Sequence, residues 1–389
     1  MDFKRPKRLD VFKTGIFEAL DNKKQELIRQ GRTVYNFSIG TPDFPVPENI
    51  KKAFIEAAAD PKSWTYAIVD TDELLETVVW YYKDRFGVDI EKDEVISVHG
   101  TQEGMGHLGL ALADPGDKVL LPNPGYPIFE AGSLLAQTDI VYYPLVREND
   151  FLPRLDMIDP QVLSQVRYMV VSYPSNPVGA VASKEVYLEL IEYAKKYGFI
   201  IINDNAYSDI AYDGFETFSF LSLPGAKEVG VEFLSLSKSY NVTGMRISFL
   251  AGNRQIVDSL RLLRSQIDFG MPYPTQRAAI EAMKSPRDGV ERQRLEYQRR
   301  RDAMCGGFRR IGWDVPDGKG TMFVWAPLPE KFSSSVEFVT ELMEKTGVIA
   351  TPGISFGPLG EGYVRFALVH TVETIGKVIE LIDSSGILR

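Results

Sequence analysis

The chain has 389 residues, 44% of them hydrophobic and 25% charged, with a formal net charge of −9. That length supports two domains and a large core, and the acidic balance argues against a nucleic-acid-binding surface. The one cysteine, Cys305, excludes an intramolecular disulfide and a cysteine-based metal site, and no metal is expected.

The opening residues Met1-Asp2-Phe3-Lys4-Arg5-Pro6 are basic but carry no apolar h-region, so no signal peptide is expected. No apolar run approaches the roughly 18 residues of a membrane span. A cytoplasmic protein without membrane or nucleic-acid partners is therefore expected. An amphipathic helix over 15–29 puts Ile16, Leu20 and Leu27 on one side. A short strand from Val34 ends in the turn Gly40-Thr41-Pro42-Asp43, where a glycine lets the backbone approach a ligand closely. Helices over 48–59 and 73–86 flank a loop with Trp64-Thr65-Tyr66. Strand-like runs follow at 95–98, 118–121, 140–143, 168–172, 199–203, 233–236 and 247–251. Helical segments lie between several of them, at 103–112, 128–135 and 184–197, and another follows at 255–265.

This alternation predicts an α/β fold with a mostly parallel seven-stranded sheet covered on both faces. Ligands in such sheets bind at the carboxyl ends of the strands. One long helix is predicted over 275–311, and its basic runs, Arg292 to Arg294 and Arg299-Arg300-Arg301, read as a solvated face. A mixture of strands and helices then runs to the end of the chain. Residues 46–280 are predicted to form a large domain. Residues 1–45 and 281–389 are predicted to form an N-terminal arm plus a smaller α+β domain. His99, His107 and His370 are scattered and read as structural.

The strand ends carry the chemistry. After the first regular strand, His99-Gly100-Thr101-Gln102-Glu103-Gly104 opens a helix whose free amides suit an anion. Pro122-Asn123-Pro124-Gly125-Tyr126-Pro127 fixes a turn and gives Tyr126 a defined place, suited to stacking on a flat ring or to plain packing. In Pro174-Ser175-Asn176-Pro177 an asparagine is held between prolines. Asp204 follows an apolar run, so it either caps a helix or sits desolvated and needs a cation. Ser235-Leu236-Ser237-Lys238, with Arg246 beyond, reads as a surface loop or as a reactive lysine beside a phosphate seat. Each motif alone is ambiguous, but in order, each after a predicted strand, they form one set.

With these motifs the chain resembles the class I aminotransferases, enzymes of fold type I that use pyridoxal 5'-phosphate (PLP). The resemblance covers nearly the whole chain and rests on Ser175-Asn176-Pro177-Val178-Gly179, Asp204-Asn205-Ala206-Tyr207 and the run from Ser235 to Arg246. Tyr126 with its flanking prolines and the run Thr351 to Gly357 are similar to the branch holding alanine and LL-diaminopimelate aminotransferases.

The resemblance implies that Lys238 carries the cofactor covalently and later acts as base for the 1,3-proton shift. It implies that Asp204 pairs with the pyridinium nitrogen, that Asn176 and Tyr207 hydrogen-bond the ring hydroxyl, and that Tyr126 stacks on the ring. Ser235, Ser237, Arg246 and the amides near Thr101 and Gln102 would hold the phosphate. Tyr66 would reach the phosphate of the other subunit of a homodimer. Arg365 would clamp the substrate α-carboxylate, helped by Asn176 and the Gly40 amide.

The implied reaction moves an amino group between an L-amino acid and a 2-oxo acid, pyruvate or 2-oxoglutarate, by a ping-pong route. Side-chain pocket walls are expected from Ile16, Phe17, Ile39, Met271 and Tyr273. Three departures stand out. Thr71 and Glu76 occupy places where the family often has glycine and arginine, Met245 stands where many members have tryptophan, and Gly15 where the diaminopimelate branch tends to have tyrosine. A C–S β-lyase on the same scaffold remains open. A PLP-sensing regulator would need a DNA-binding domain, and the about 30 residues before Val34 fit no helix-turn-helix.

Overall fold

The computed structural model describes residues 3–12 and 15–389, without the side chains of residues 13–19. Helix α1 (Gly15–Arg29), strand β1 (Tyr35–Asn36), α2 (Glu48–Ala59) and α3 (Asp72–Phe86) lead into the main sheet. The Thr71 hydroxyl caps α3 by accepting from the Leu74 amide at 3.3 Å, and Gly87 ends it in the left-handed region at φ 67°.

The sheet strands are β2 (Val95–Val98), β3 (Lys118–Asn123), β4 (Asp139–Pro144), β5 (Val166–Val171), β6 (Ile200–Asn205), β7 (Gly230–Ser235) and β8 (Ser248–Gly252). Their spatial order is β2-β8-β7-β6-β5-β3-β4. β8 runs antiparallel to both neighbours and every other pair is parallel. Burial explains the unbroken apolar runs. Leu120, Met169, Ile201 and Leu234 point into one core, while their neighbours Val119, Val170, Ile202 and Phe233 point into the other. On the second face lie α4 (Thr101–Leu112), α5 (Ile128–Leu135) and α9 (Arg254–Arg264). The first face is covered by α3, α7 (Lys184–Tyr197) and α10 (Tyr273–Lys284), with short helices α6 (Pro160–Leu163) and α8 (Ala226–Val229) between strands.

A second core lies around α11 (Asp288–Arg310), β9 (Phe323–Pro327), α12 (Ser335–Thr346), β10 (Val348–Ile349), β11 (Thr351–Pro352), β12 (Tyr363–Ala367) and α13 (Val372–Ser384). β11, β12 and β9 make a three-stranded antiparallel sheet. β1 pairs with β10, which ties the segment carrying Gly40 to this core. Among the described residues no helix is long and apolar enough to cross a membrane.

Two expectations are corrected. The single helix expected over 275–311 is two, α10 and α11, broken at Ser285-Pro286-Arg287. Proline disfavours helical geometry in the residue before it, and Ser285 is extended at φ −70°, ψ 147°. The basic run is not a uniformly solvated face. Arg299 is exposed, but Arg300 and Arg301 are buried. Arg300 gives Asp43 a two-pronged contact at 2.7 and 3.0 Å and donates to the Leu368 carbonyl at 2.9 Å. Arg301 does the same with Asp213 at 2.9 and 2.7 Å. Asp43→Ala is therefore expected to cost about 2 kcal/mol, because a buried guanidinium loses its best acceptors. Arg299→Ala should stay within about 0.5 kcal/mol. Equal urea midpoints for the two variants would contradict this placement.

Candidate active site

The carboxyl ends of β2, β3, β5, β6 and β7 converge on one cavity of about 300 Å³. Thr101 and Gln102 reach it from the start of α4, Tyr126 from the turn after β3, Asn176 from the turn after β5. Asp204 enters from β6, Tyr207 from the turn beyond it, and Ser235, Ser237 and Lys238 from the end of β7. Gly40 and Arg365 close it from the side of the second core.

Lys238 Nζ donates to the Gly40 carbonyl at 2.7 Å. Burial, then the charges of Arg365 and Arg246, bring its amine down to about 8. Asp204 is buried, and desolvation pushes its carboxyl up to about 7. Its recorded hydrogen bond comes from the Ala206 amide at 3.2 Å, and no cationic side chain pairs with it among the described residues. Burial also pushes the Tyr126 and Tyr207 hydroxyls above their ordinary value. Arg365 donates to Asn176 Oδ1 at 2.8 Å and to the Ser38 carbonyl at 2.9 Å.

The other end of the cavity gathers hydroxyls and a guanidinium, donors that suit an anion. Arg246 donates to the Thr243 carbonyl at 3.0 Å and the His99 carbonyl at 3.4 Å. Its guanidinium lies where a side chain on Gly100 would have to be, and Gly100 has φ +82°. The Ser235 hydroxyl accepts from the Ser237 amide at 3.2 Å and from Ser248 Oγ at 3.1 Å, which leaves its own proton to donate. The Thr101 amide is already given to Ser248 Oγ at 3.1 Å.

This arrangement fits PLP. A buried carboxyl without a cation suits a protonated pyridine nitrogen, and hydroxyl donors beside an arginine suit a phosphate. Lys238 stands in the same cavity with a partly neutral amine.

Some expected residues stand elsewhere. Tyr66 is exposed on the surface against Phe269, ring centroids 4.9 Å apart, and does not line the cavity of its own chain. Ile39 lines the cavity, but Met271 is in the core and Tyr273 lines a separate cleft beside Gln276. Ile16 and Phe17 have side chains outside the described residues. Other residues escaped sequence reading. Ser248 is one: it joins Thr101 to Ser235, which it faces across the antiparallel β7–β8 pair. Asp209 is another, buried behind the lysine loop, where it accepts from Ser239, Arg85 and Arg287. Burial pushes its carboxyl up, but Arg85 and Arg287 outweigh this and hold it below the usual range. The Gln293 amide likewise holds the Lys238 carbonyl at 2.7 Å.

A family model described as aminotransferase class I and II matches residues 32–382. The chain is 41% identical over 374 residues to an LL-diaminopimelate aminotransferase of Halothermothrix orenii, covering 96% of each chain. It is 41% identical over 379 residues to an LL-diaminopimelate aminotransferase of Dehalococcoides mccartyi, covering 97% of each. Among solved structures, substrate-bound BacF from Bacillus subtilis superposes with a TM-score of 0.94 at 32% identity, over 98% of both chains. A probable N-succinyldiaminopimelate aminotransferase from Thermus thermophilus superposes with a TM-score of 0.90 at 34% identity, over 95% of this chain and all of that one.

Proposed function

The chain belongs to the class I and II aminotransferases and is a PLP-dependent transaminase; from that premise we propose how its residues divide the work and which donor it takes. The observation that carries the reading is one cavity holding three groups: Asp204, a buried carboxyl with no cation among the described residues, Arg365, a buried guanidinium with no carboxylate among them, and Lys238 with its amine lowered to about 8.

When bound, the cofactor takes up the electron pair left at the substrate Cα and stores the amino group between half-reactions. Lys238 Nζ tethers it and, once freed, takes the Cα proton and hands it on. Asp204 holds the ring nitrogen protonated. Asn176 and Tyr207 hydrogen-bond the ring hydroxyl, and Tyr126 stacks on the ring. Ser235, Ser237, Arg246 and the Gln102 end of the α4 start hold the phosphate, and Thr101 joins them by turning from Ser248 Oγ. Arg365, with Asn176 and Gly40 beside it, takes the α-carboxylate.

The donor we propose is LL-diaminopimelate, with 2-oxoglutarate or pyruvate as acceptor. Its support is the printed activity of relatives at 41% identity. A panel of LL-diaminopimelate, alanine, aspartate and methionine against both 2-oxo acids tests it, with parallel double-reciprocal lines expected for the best pair. Aspartate outpacing LL-diaminopimelate would overturn the donor, and fast pyruvate release from cystathionine without an acceptor would favour a lyase.

Assembly as a homodimer belongs to the same proposal. Tyr66, Ile68, Val69 and Phe269 form an exposed apolar strip, which suits a second subunit. A fully active monomer in light scattering would remove it. We also propose a division into domains at 46–280 and at 1–45 with 281–389, and a cytoplasmic location. Limited proteolysis and cell fractionation test these.

A further inference from the structure

Arg365 is a buried cation whose hydrogen bonds go to neutral oxygens: Asn176 Oδ1 at 2.8 Å, the Ser38 carbonyl at 2.9 Å and Thr351 Oγ1 at 3.4 Å. Its Nε has no partner among the described residues. Taking a guanidinium out of water is costly, and a protein commonly meets that cost with a carboxylate. Two aromatic rings also lie against the guanidinium. The guanidinium carbon lies 4.0 Å from the centroid of Phe323 and 4.6 Å from that of Phe356.

We propose that Phe323 and Phe356 are positioning residues whose ring faces hold the Arg365 guanidinium in place of a counter-ion and keep its charge free for an incoming carboxylate. The face of a benzene ring is negative and attracts a cation, most strongly out of water. A protein carboxylate in the same place would hold the arginine more tightly, but it would compete with the ligand for the same charge. A ring face stabilises the cation without neutralising it.

The packing around the rings supports this. Phe323 sits on β9 opposite Ala367 of β12, and Trp325 sits opposite Arg365, so the ring is the arginine's diagonal cross-strand neighbour. Phe323 meets Tyr207 edge-on at 6.0 Å, and Phe356 meets Trp325 edge-on at 5.8 Å. Gly40 completes the site. A Cβ there would come within 2.6 Å of Phe323 Cε1. The glycine thus makes room for the ring that packs on the arginine, a neighbour inside the protein.

The inference rests on Arg365 as the carboxylate seat, so the test separates the two. Binding of propionate and of n-propylamine to the cofactor-loaded protein is measured by calorimetry, for wild type and for Phe323→Leu, Phe356→Leu and Arg365→Lys. Each leucine variant is expected to weaken propionate about tenfold and leave n-propylamine within about twofold, because leucine keeps the bulk and removes the ring face. Wild-type propionate binding in both leucine variants, with Arg365→Lys weakened, overturns the ring inference and leaves the seat standing. Unchanged propionate binding in Arg365→Lys removes the seat and the inference together. Equal weakening of both ligands also overturns it, since that is general damage to the cavity. If Phe323→Leu fails to fold, Phe356→Leu, against the other ring, decides the matter.

Discussion

Lys238→Ala is expected to lower the rate of the half-reaction by at least about 10⁴-fold, the upper range for loss of one acid–base group, with loss of the covalent tether adding to it. The wild-type protein should be yellow when isolated with its cofactor and lose that colour on borohydride treatment, whereas cofactor bound to the alanine variant should be removable by dialysis. The argument is electrostatic. Burial comes first, then the cations Arg365 and Arg246, and together they bring the amine down to about 8 from 10.5. A sizeable neutral fraction then exists near pH 8, where an exposed lysine would be almost wholly protonated and unable to take a proton. The Gly40 carbonyl at 2.7 Å and the Gln293 amide at 2.7 Å hold the lysine at its amine and at its backbone. The same shift has a stability signature in the cofactor-free protein. The folded state holds the proton less tightly than the unfolded chain between about pH 8 and 10.5, so stability from this group rises with pH across that window. The alanine variant should lack that rise. A colourless wild type indifferent to PLP would sink the assignment of Lys238.

Why some of this was legible and some not has a physical basis. The strands of the main sheet are buried on both faces, so they appear as apolar runs that need no partner to be recognised. The motifs at their carboxyl ends, such as Asp204 and Lys238, inherit a position from the strand before them. Pairing is different. β8 lies between β2 and β7 and antiparallel to both, and only that register sets Ser248 opposite Ser235. Within its own strand Ser248 is one more small buried residue. Arg300 and Arg301 look solvated for a related reason: Asp43 is 257 residues from its partner, and Asp213 is 88 from its own. Gly40 was legible as a place needing a glycine, but not as the space for the Phe323 ring, since β9 arrives from the far end of the chain. Pro286 stands in the sequence at the break, between two helical segments that read as one when taken together.

Asp204→Asn should change stability in opposite directions with and without the cofactor. Desolvation raises the carboxyl from 3.8 to about 7, against the weaker pull of the Ala206 amide. The folded cofactor-free protein therefore holds this proton more tightly than the unfolded chain between about pH 4 and 7. Stability from this group is fully present below the unfolded pKa and is lost as pH rises through about 7. A shift of this size corresponds to about 4 kcal/mol. Without cofactor at pH 8 the asparagine variant should thus melt above wild type, and at pH 4, where the wild-type carboxyl is neutral, the two should nearly coincide. With the cofactor bound the order should reverse, because a protonated ring nitrogen offsets the charge that burial penalises, and asparagine cannot. Turnover should fall about a hundredfold or more, the scale set by removing one preorganised electrostatic contact. Melting curves from pH 4 to 8, with and without PLP, make the comparison. Groups common to both proteins cancel in the difference, including Lys238, whose amine titrates only at the upper edge of this window near pH 8, so the crossover belongs to the carboxyl. Parallel curves for variant and wild type would mean that the folded protein keeps Asp204 ionised without the cofactor, and would overturn the desolvated carboxyl as the reason this site takes a protonated ring.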